Sequence, residues 1–488
     1  MPSFALGAGL VLCSNREPQY QNQNTLVIDK DGRIRYAAIS RRVLALPPEI
    51  LAEIFLHCLP AEEFVSPDIT SAPILLCGIC RHFREIALST PRLWSSLRCD
   101  SDVFDMAQGT ETKLIELIRS WLSRARRTPL SLSLCLYDPE GMWESDSAGA
   151  ILQIAVDLSP QWRNIDMELA PILSEVLFPL DGNFPLLEKL AIDGIERFPS
   201  WSFRDAAKLR HFSSSVYYPA PHSSMQLLPW HQITTVCIGE LEFSIWLAIL
   251  RDATTIVDGT FGVQSDDSPA QPIFVPPLNH LQSLTIVGFA FSASPTVPME
   301  VLDSLTAPAL KSLTLDFPHD FTTALDTSPF LRFATRSTFQ LHSLVLSFMA
   351  TPPGIIQCLK AVPSLVLLKI QLMGGVIDVN PIFRRLTESD FLPKLESLHM
   401  IFDPLVSLTE HDRQALALSL VFQVLCWRWA GVGITRLRSF QLAHAFNAPS
   451  LDRTMNSNLE FRRLAAEGMD LYVGPLRPVI DWINHDDS

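Results

Sequence analysis

The chain has 488 residues, 48% of them hydrophobic and 18% charged, with a formal net charge of −14. So acidic a chain excludes a phosphate backbone as main partner, because nucleic-acid binding draws on clustered Lys and Arg, and so apolar a chain excludes a polymer without a core. Nine scattered cysteines are no disulfide framework and point to a reducing compartment, cytoplasmic or nuclear.

Residues 1–40 show no helical or strand period beyond a turn at Asp29-Lys30-Asp31-Gly32 between two short strands, Leu26–Ile28 and Arg33–Tyr36. The later ligands of a calcium loop are missing there, so a hairpin turn is the reading. The apolar run Phe4–Leu12 lacks the basic flank of a secretory signal.

The first strong pattern opens at Leu46-Pro47-Pro48-Glu49. Prolines in a first turn sacrifice no helical hydrogen bond, and Ile50, Leu51, Ile54, Phe55, Cys58 and Leu59 follow at steps that bury one helix face. Glu49 and Glu53 complement the dipole at the start of that helix. A second amphipathic helix is expected from Pro73, with Leu76, Ile79, Cys80, Phe83 and Ile86 on one stripe, ending at Ser89-Thr90. A third, short helix is expected from Pro91, capped by Thr90 and carrying Leu93, Trp94 and Leu97. Three helices in so short a stretch bury little surface and want a partner.

These residues resemble the F-box motif in the form common among fungal F-box proteins: Leu46 to Phe55, then Ile79-Cys80-Arg81-His82-Phe83-Arg84-Glu85-Ile86-Ala87, then Pro91-Arg92-Leu93-Trp94. Phe83 stands where that family more often has Trp. Ile118 to Arg124 followed by Pro129-Leu130-Ser131-Leu132 looks like the usual continuation, a helix leading into a first strand. The resemblance implies docking on the small adaptor protein that joins such chains to a cullin, through Leu46, Pro47, Ile50, Leu51, Ile54, Phe55, Leu76, Ile79, Phe83, Leu93 and Trp94, some of which serve as internal core instead. Arg124, Arg126 and Arg127 are read as closing a helix C-terminus.

Beyond residue 125 a short cassette recurs, L-x-x-L-x-L, at Leu281–Ile286, Leu310–Leu315, Leu341–Leu346, Leu365–Ile370 and Leu395–Met400. Weaker copies lie at Leu187-Leu190-Ile192, Ile233-Val236-Ile238 and Leu437-Phe440-Leu442. Apolar helical stretches and proline-rich loops separate them, the pattern of leucine-rich repeats. The Asn that usually follows such a cassette is replaced by Phe289, Pro318, Met349, Met373 and Asp403. Strand alternation sends the leucines inward and leaves Thr285, Thr314, Asp316, Lys369, Gln371 and His399, among other small polar residues, on an exposed face expected to be concave, where a target protein would be read. The stretch Ala415–Ile434, broken by Gln423 and Arg428, reads as a buried amphipathic helix rather than a membrane span.

No phosphate-binding loop, nucleophile elbow, zinc-protease motif or dinucleotide fingerprint occurs, so no catalytic residue, metal ligand or cofactor is assigned. Cys77-Gly78-Ile79-Cys80 has zinc spacing without a second pair and reads as core. The expected class is α/β, a small three-helix F-box followed by an irregular leucine-rich-repeat solenoid, divided into an N-terminal extension (1–40), F-box (41–100), linker helix (101–128) and target-binding domain (129–488). The expected function is that of a non-catalytic substrate receptor in an SCF-type cullin-RING ubiquitin ligase, its partners the adaptor, through it a cullin, and an unidentified target protein, with no nucleic acid and no membrane. The first alternative is a leucine-rich-repeat interaction scaffold acting outside a ligase, and the second an enzyme whose motif is not among the known signatures.

Overall fold

The computed structural model describes residues 43–100, 111–136, 145–177, 180, 182–194, 203, 206–218, 228–264, 274–288, 297–317, 326–347, 351–372, 379–402, 418–444, 455 and 457–475. The turn expected at Asp29–Gly32, the run Phe4–Leu12 and the positions expected to replace the repeat Asn lie outside them. The chain divides into two compact units: the described residues up to Ala61 with Asp68–Leu93, and Glu62–Pro67 with the residues from Trp94 onward.

The first unit is built on α1 (Pro48–Leu56), α2 (Ile74–Ile79) and α3 (Arg81–Ser89). Pro47 and Pro48 open α1, and Glu49 lies in its first turn. The single helix expected from Pro73 is two. Cys80 turns extended, at φ −159° and ψ 168°, and its Sγ accepts a hydrogen bond from the Phe83 backbone N–H, so it caps α3 rather than sitting in a core stripe. The break rotates Ile79 out of line with Leu76 and Ile86, which stay buried while Ile79 is 55% exposed. Phe55 meets Phe83 edge to face at 4.9 Å, so the ring at Phe83 still packs as a wider aromatic would. The expected third helix is only a 3₁₀ turn, Pro91–Trp94, and Leu97, placed on it from sequence, belongs to a strand.

The second unit holds β1 (Ser96–Asp100), β2 (Leu130–Leu136), β3 (Trp162–Leu169), β4 (Lys189–Asp193), β5 (His211–Tyr218), β6 (Thr235–Glu242) and β7 (Asp258–Gln264). It continues with β8 (Ser283–Gly288), β9 (Ser312–Asp316), β10 (Ser343–Ser347), β11 (Leu367–Leu372), β12 (Ser397–Phe402), β13 (Ser439–His444) and β14 (Asp470–Pro475). Among the described residues these form one open sheet of fourteen strands in strictly sequential order, every neighbouring pair parallel. The expected fold is therefore corrected. The α/β class stands, but the chain is not a three-helix F-box followed by an irregular solenoid: the helical unit is broken differently, and a continuous open parallel sheet begins at Ser96, ahead of the expected start at 129. The uneven spacing that suggested irregular repeats is taken up by the connections, while the register runs on without a slip from β7 through β14.

Sequential parallel order requires a crossover after every strand, and crossovers of one hand place their helices on one face. The cassette leucines point to that helical face: Leu284, Ile286, Leu313, Leu315, Leu344, Leu346, Leu368, Ile370, Leu398 and Met400 are at most 2% exposed. Each such side chain contributes about 1.5–3 kcal/mol by leaving water. Less obvious copies obey the same rule with other residues. Trp94, Leu97 and Cys99 serve β1, and Trp162, Ile165 and Met167 serve β3, all buried. In β7 the middle position is Gly259, because the Phe261 ring fills its place: a Cβ there would lie 2.6 Å from Phe261 Cε2.

Two devices close the unit. Glu62–Pro67 runs along the free edge of β1, where Arg98 N–H donates to Val65 O at 2.8 Å. Ser96 Oγ accepts from Val65 N–H and donates to Glu63 O, so an edge that invites foreign strands is covered. On the helical side, α4 (Glu111–Ala125) brings Trp121 against Trp94 at 4.9 Å, edge to face, and Arg124 stacks over the Trp94 ring at 4.5 Å. The helix expected within Ala415–Ile434 is α5 (Leu418–Ala430). Its Arg428, read as an interruption, is 0% exposed and donates to the carbonyls of Leu386, Leu392 and Phe391. Burial lowers its pKa to about 10, so it stays charged. No helix among the described residues is long and apolar enough to cross a membrane.

Candidate functional site

Two surfaces hold the residues singled out from sequence. On the helical unit the structure separates the expected adaptor contacts into core and surface. Leu51, Phe55, Leu76 and Leu93 are 0–5% exposed and hold the unit together. Ile50, Ile54 and Ile79 are 49%, 43% and 55% exposed, Pro47 is exposed, and Leu46 and Phe83 are half-buried. Trp94 belongs to the sheet unit and is committed to Trp121 and Arg124.

On α1 the split follows from helix geometry. Leu51 and Phe55, four apart, face inward, and Ile50 and Ile54, also four apart, lie a residue's rotation away with Pro47 one turn before. Leu44 and Leu75, not singled out from sequence, are also exposed, at 40% and 45%. Glu53 forms an ion pair with Arg92 at 3.3 Å, both largely exposed, which adds little stability. Such a group of exposed aliphatics on a small helical unit marks an interaction surface.

The second surface is the sheet face on which no helix lies among the described residues. Register brings all six residues named from sequence for that face into two rows. Thr285, Thr314, Val345, Lys369, His399, Gln441 and Tyr472 are successive neighbours on β8 to β14. Asp316, Ser347 and Gln371 form the next row toward the strand ends. Thr285 and Thr314 are only 8% and 7% exposed, so they are floor rather than contact points. His399 has no hydrogen-bond partner at Nδ1, and burial, with Lys369 beside it, pulls its pKa down to about 4. It is neutral at pH 7.

Sequence reasoning missed the same rows on the earlier strands. Arg98, Ser133, Asp166, Ala191, Ser213, Cys237 and Thr260 continue the threonine row back to β1. The signal that would have found them is apolar-x-x-apolar-x-apolar rather than leucine at all three places. Here the face is charged: Asp100, Cys135, Glu168 and Asp193 are successive neighbours on β1 to β4, and Lys189 is tied to Glu63 at 3.0 Å.

The described cysteines are free thiols, and burial pushes Cys99 and Cys358 up to about 12, which leaves them inert as nucleophiles. What both surfaces offer is recognition: apolar anchors on one, rows of small polar groups on the other. No protein-family model and no curated protein matches the chain.

Proposed function

We propose that this chain is the target receptor of a cullin-RING ubiquitin ligase, docking on the small adaptor through the helical unit and holding a target protein on the open sheet face. The observation that carries the reading is the exposed row of Pro47, which caps α1, with Ile50 and Ile54 on it, inside the segment that resembles the F-box motif. A unit this small leaves aliphatic side chains in water at a cost, and a partner's apolar groove removes that cost. The receptor performs no bond chemistry; it raises the effective concentration of a target lysine near the charged conjugating enzyme. The ligase reading places the protein in the cytoplasm or nucleus.

The test is co-purification. The intact chain and an Ile50→Asp, Ile54→Asp variant are expressed with a tag in eukaryotic cells, and recovered proteins are identified by mass spectrometry. Adaptor and cullin with the intact chain and neither with the variant is the expected result. Adaptor without cullin would favour an interaction scaffold outside a ligase, and neither protein with the intact chain would end the ligase reading.

A further inference from the structure

A sheet whose strands are all parallel gathers every strand start on one rim, and here that rim is not charged like the rest of the chain. The turns entering β5 to β11 are residues 206–210, 228–234, 253–257, 274–282, 304–311, 338–342 and 361–366, all among the described residues, and not one holds an Asp or Glu. They hold Lys208, Arg210, His231, His280, Lys311 and His342, all exposed, and the exposed Lys360 ends the helix Pro352–Lys360 just before β11. In a chain with 52 acidic residues against 38 basic ones this is a local reversal of sign. It is bounded on both sides, by Glu188 ahead of β4 and by Glu388, Asp390 and Glu396 ahead of β12.

The backbone fixes the spacing of these groups. The carbonyls of Arg210, Thr234, Val257, Gln282, Lys311 and His342 each accept the two N–H groups that lead into the next strand. Those residues therefore follow one another along the rim at the strand separation of about 4.8 Å. Lys208 and Arg210 stand at one end of the acid-free stretch, and Lys311 and Lys360 stand toward the other.

These four cations have no counter-charge. Arg210 spends its guanidinium on the carbonyls of Ala207 and Leu209, and Lys311 Nζ donates to Gln282 Oε1 at 2.9 Å. Lys208 and Lys360 meet no carboxylate among the described residues. Cations around the stretch are paired instead: Arg163 with Glu188 at 3.0 Å, Arg251 with Asp252 at 2.8 Å, Arg332 with Asp303 at 2.6 Å and Arg438 with Glu396 at 3.5 Å. Asp258 opens β7 itself. A cation at a helix C-terminus answers the helix dipole, which accounts for Lys360. It does not account for Lys208, Arg210 and Lys311, which lie outside helices.

We propose that the strand-start rim from β5 to β11 binds an acidic segment of a partner protein, its carboxylates answering Lys208, Arg210, Lys311 and Lys360. Six strand separations span about 29 Å, the reach of about nine extended residues. Cations set this far apart suit carboxylates spaced along a chain, whereas a nucleic-acid backbone draws on a denser row. The rim is distinct from the exposed aliphatics of α1 and from the open sheet face, so it adds a third surface.

The experiment uses the full chain and labelled peptides of equal length in a Gly-Ser background, with glutamate, glutamine or arginine at every third position, read by fluorescence anisotropy. The glutamate peptide binds, added salt weakens it, and the other two do not bind. Lys311→Gln, Lys360→Gln loses about tenfold in affinity for the glutamate peptide. Lys113→Gln, Arg119→Gln, the same charge change at exposed positions of α4, does not. Unchanged thermal midpoints show both variants folded. A photo-cross-linking form of the peptide attaches to the turns entering β5 to β11. Equal loss in the two variants, no loss in the first, a glutamine peptide that binds as well, or cross-links confined to the open sheet face overturns the proposal. A single strand of DNA that binds more tightly than the glutamate peptide, and is weakened by the same rim variant, overturns it too by making the rim a nucleic-acid surface. None of these outcomes bears on adaptor docking, so failure here leaves the ligase reading untouched.

Discussion

Helix α1 and strand β9 are both two-faced, yet they leave opposite chemistry in water. On α1 the inward residues are Leu51 and Phe55, and the outward ones include Ile50 and Ile54. On β9 the inward residues are Leu313 and Leu315, and the other face carries Ser312 and Asp316, half-buried, with Thr314 nearly buried between them. The strand is flanked by β8 and β10, which satisfy its backbone and continue its apolar layer, so only small polar groups remain outside. The helix has aliphatic side chains left over. A surface finished by its own neighbours is recognised through polarity and shape, and an unfinished apolar one through burial.

The comparison is sharpened most by breaking the finished side. Arg428→Met keeps the bulk of the side chain but strips donors from the carbonyls of Leu386, Phe391 and Leu392. A destabilisation of about 4 kcal/mol is expected, since each buried unsatisfied group costs about 1–3 kcal/mol. Chemical denaturation measures it, and hydrogen exchange should localise the loss to residues 386–392.

Next in size is the contrast within α1. Leu51→Ala should cost about 2–5 kcal/mol of stability as a core truncation, whereas Ile54→Ala, at a site 43% exposed, should change it by less than about 1 kcal/mol. Thermal unfolding of the two variants separates core from surface. Equal losses would dissolve the distinction drawn here.

A pH titration follows. His399 titrates near pH 4 in the folded chain and near its ordinary 6.5 when unfolded. The unfolded state therefore takes up a proton that the folded state refuses. The stability His399 brings as a neutral group is complete above pH 6.5 and falls away as the pH drops toward 4. Its partial exposure limits the loss to roughly 1–2 kcal/mol. In His399→Gln that part of the pH dependence should vanish.

The smallest expected effect is at Glu63. Glu63→Gln removes the charge facing Lys189 at 3.0 Å but keeps the segment's backbone bond to Arg98, so the change should stay under about 1 kcal/mol. A larger loss, measured by denaturation, would mean that the edge cover depends on that ion pair.

Much of the sheet could be read from sequence, because strand alternation is written in single residues: all five strong cassettes are strands with buried leucines. Strands with other apolar residues at those places escaped, β7 because Phe261 makes its middle position glycine and β1 because Trp94 and Cys99 replace leucines. The architecture escaped too, since register between strands is a long-range property that no local pattern encodes. In the helical unit the apolar period suggested one helix from Pro73, and the extended backbone at Cys80 broke it. That break decides which residues of the candidate site are surface. Ile79 was expected on a stripe with Leu76 and Ile86 and is outside it. The acidic end of the open face was out of reach because its carboxylates, far apart in sequence, meet only through the register of β3 and β4.

The most direct test of the account is a calorimetric titration of purified adaptor into the full chain and into its Ile50→Asp, Ile54→Asp variant. Binding with a negative heat-capacity change, weakened by about 2 kcal/mol or more in the variant, is the predicted result. Equal affinity for both chains, with the variant folded, would show that the exposed face of α1 is not the docking surface and would contradict the account.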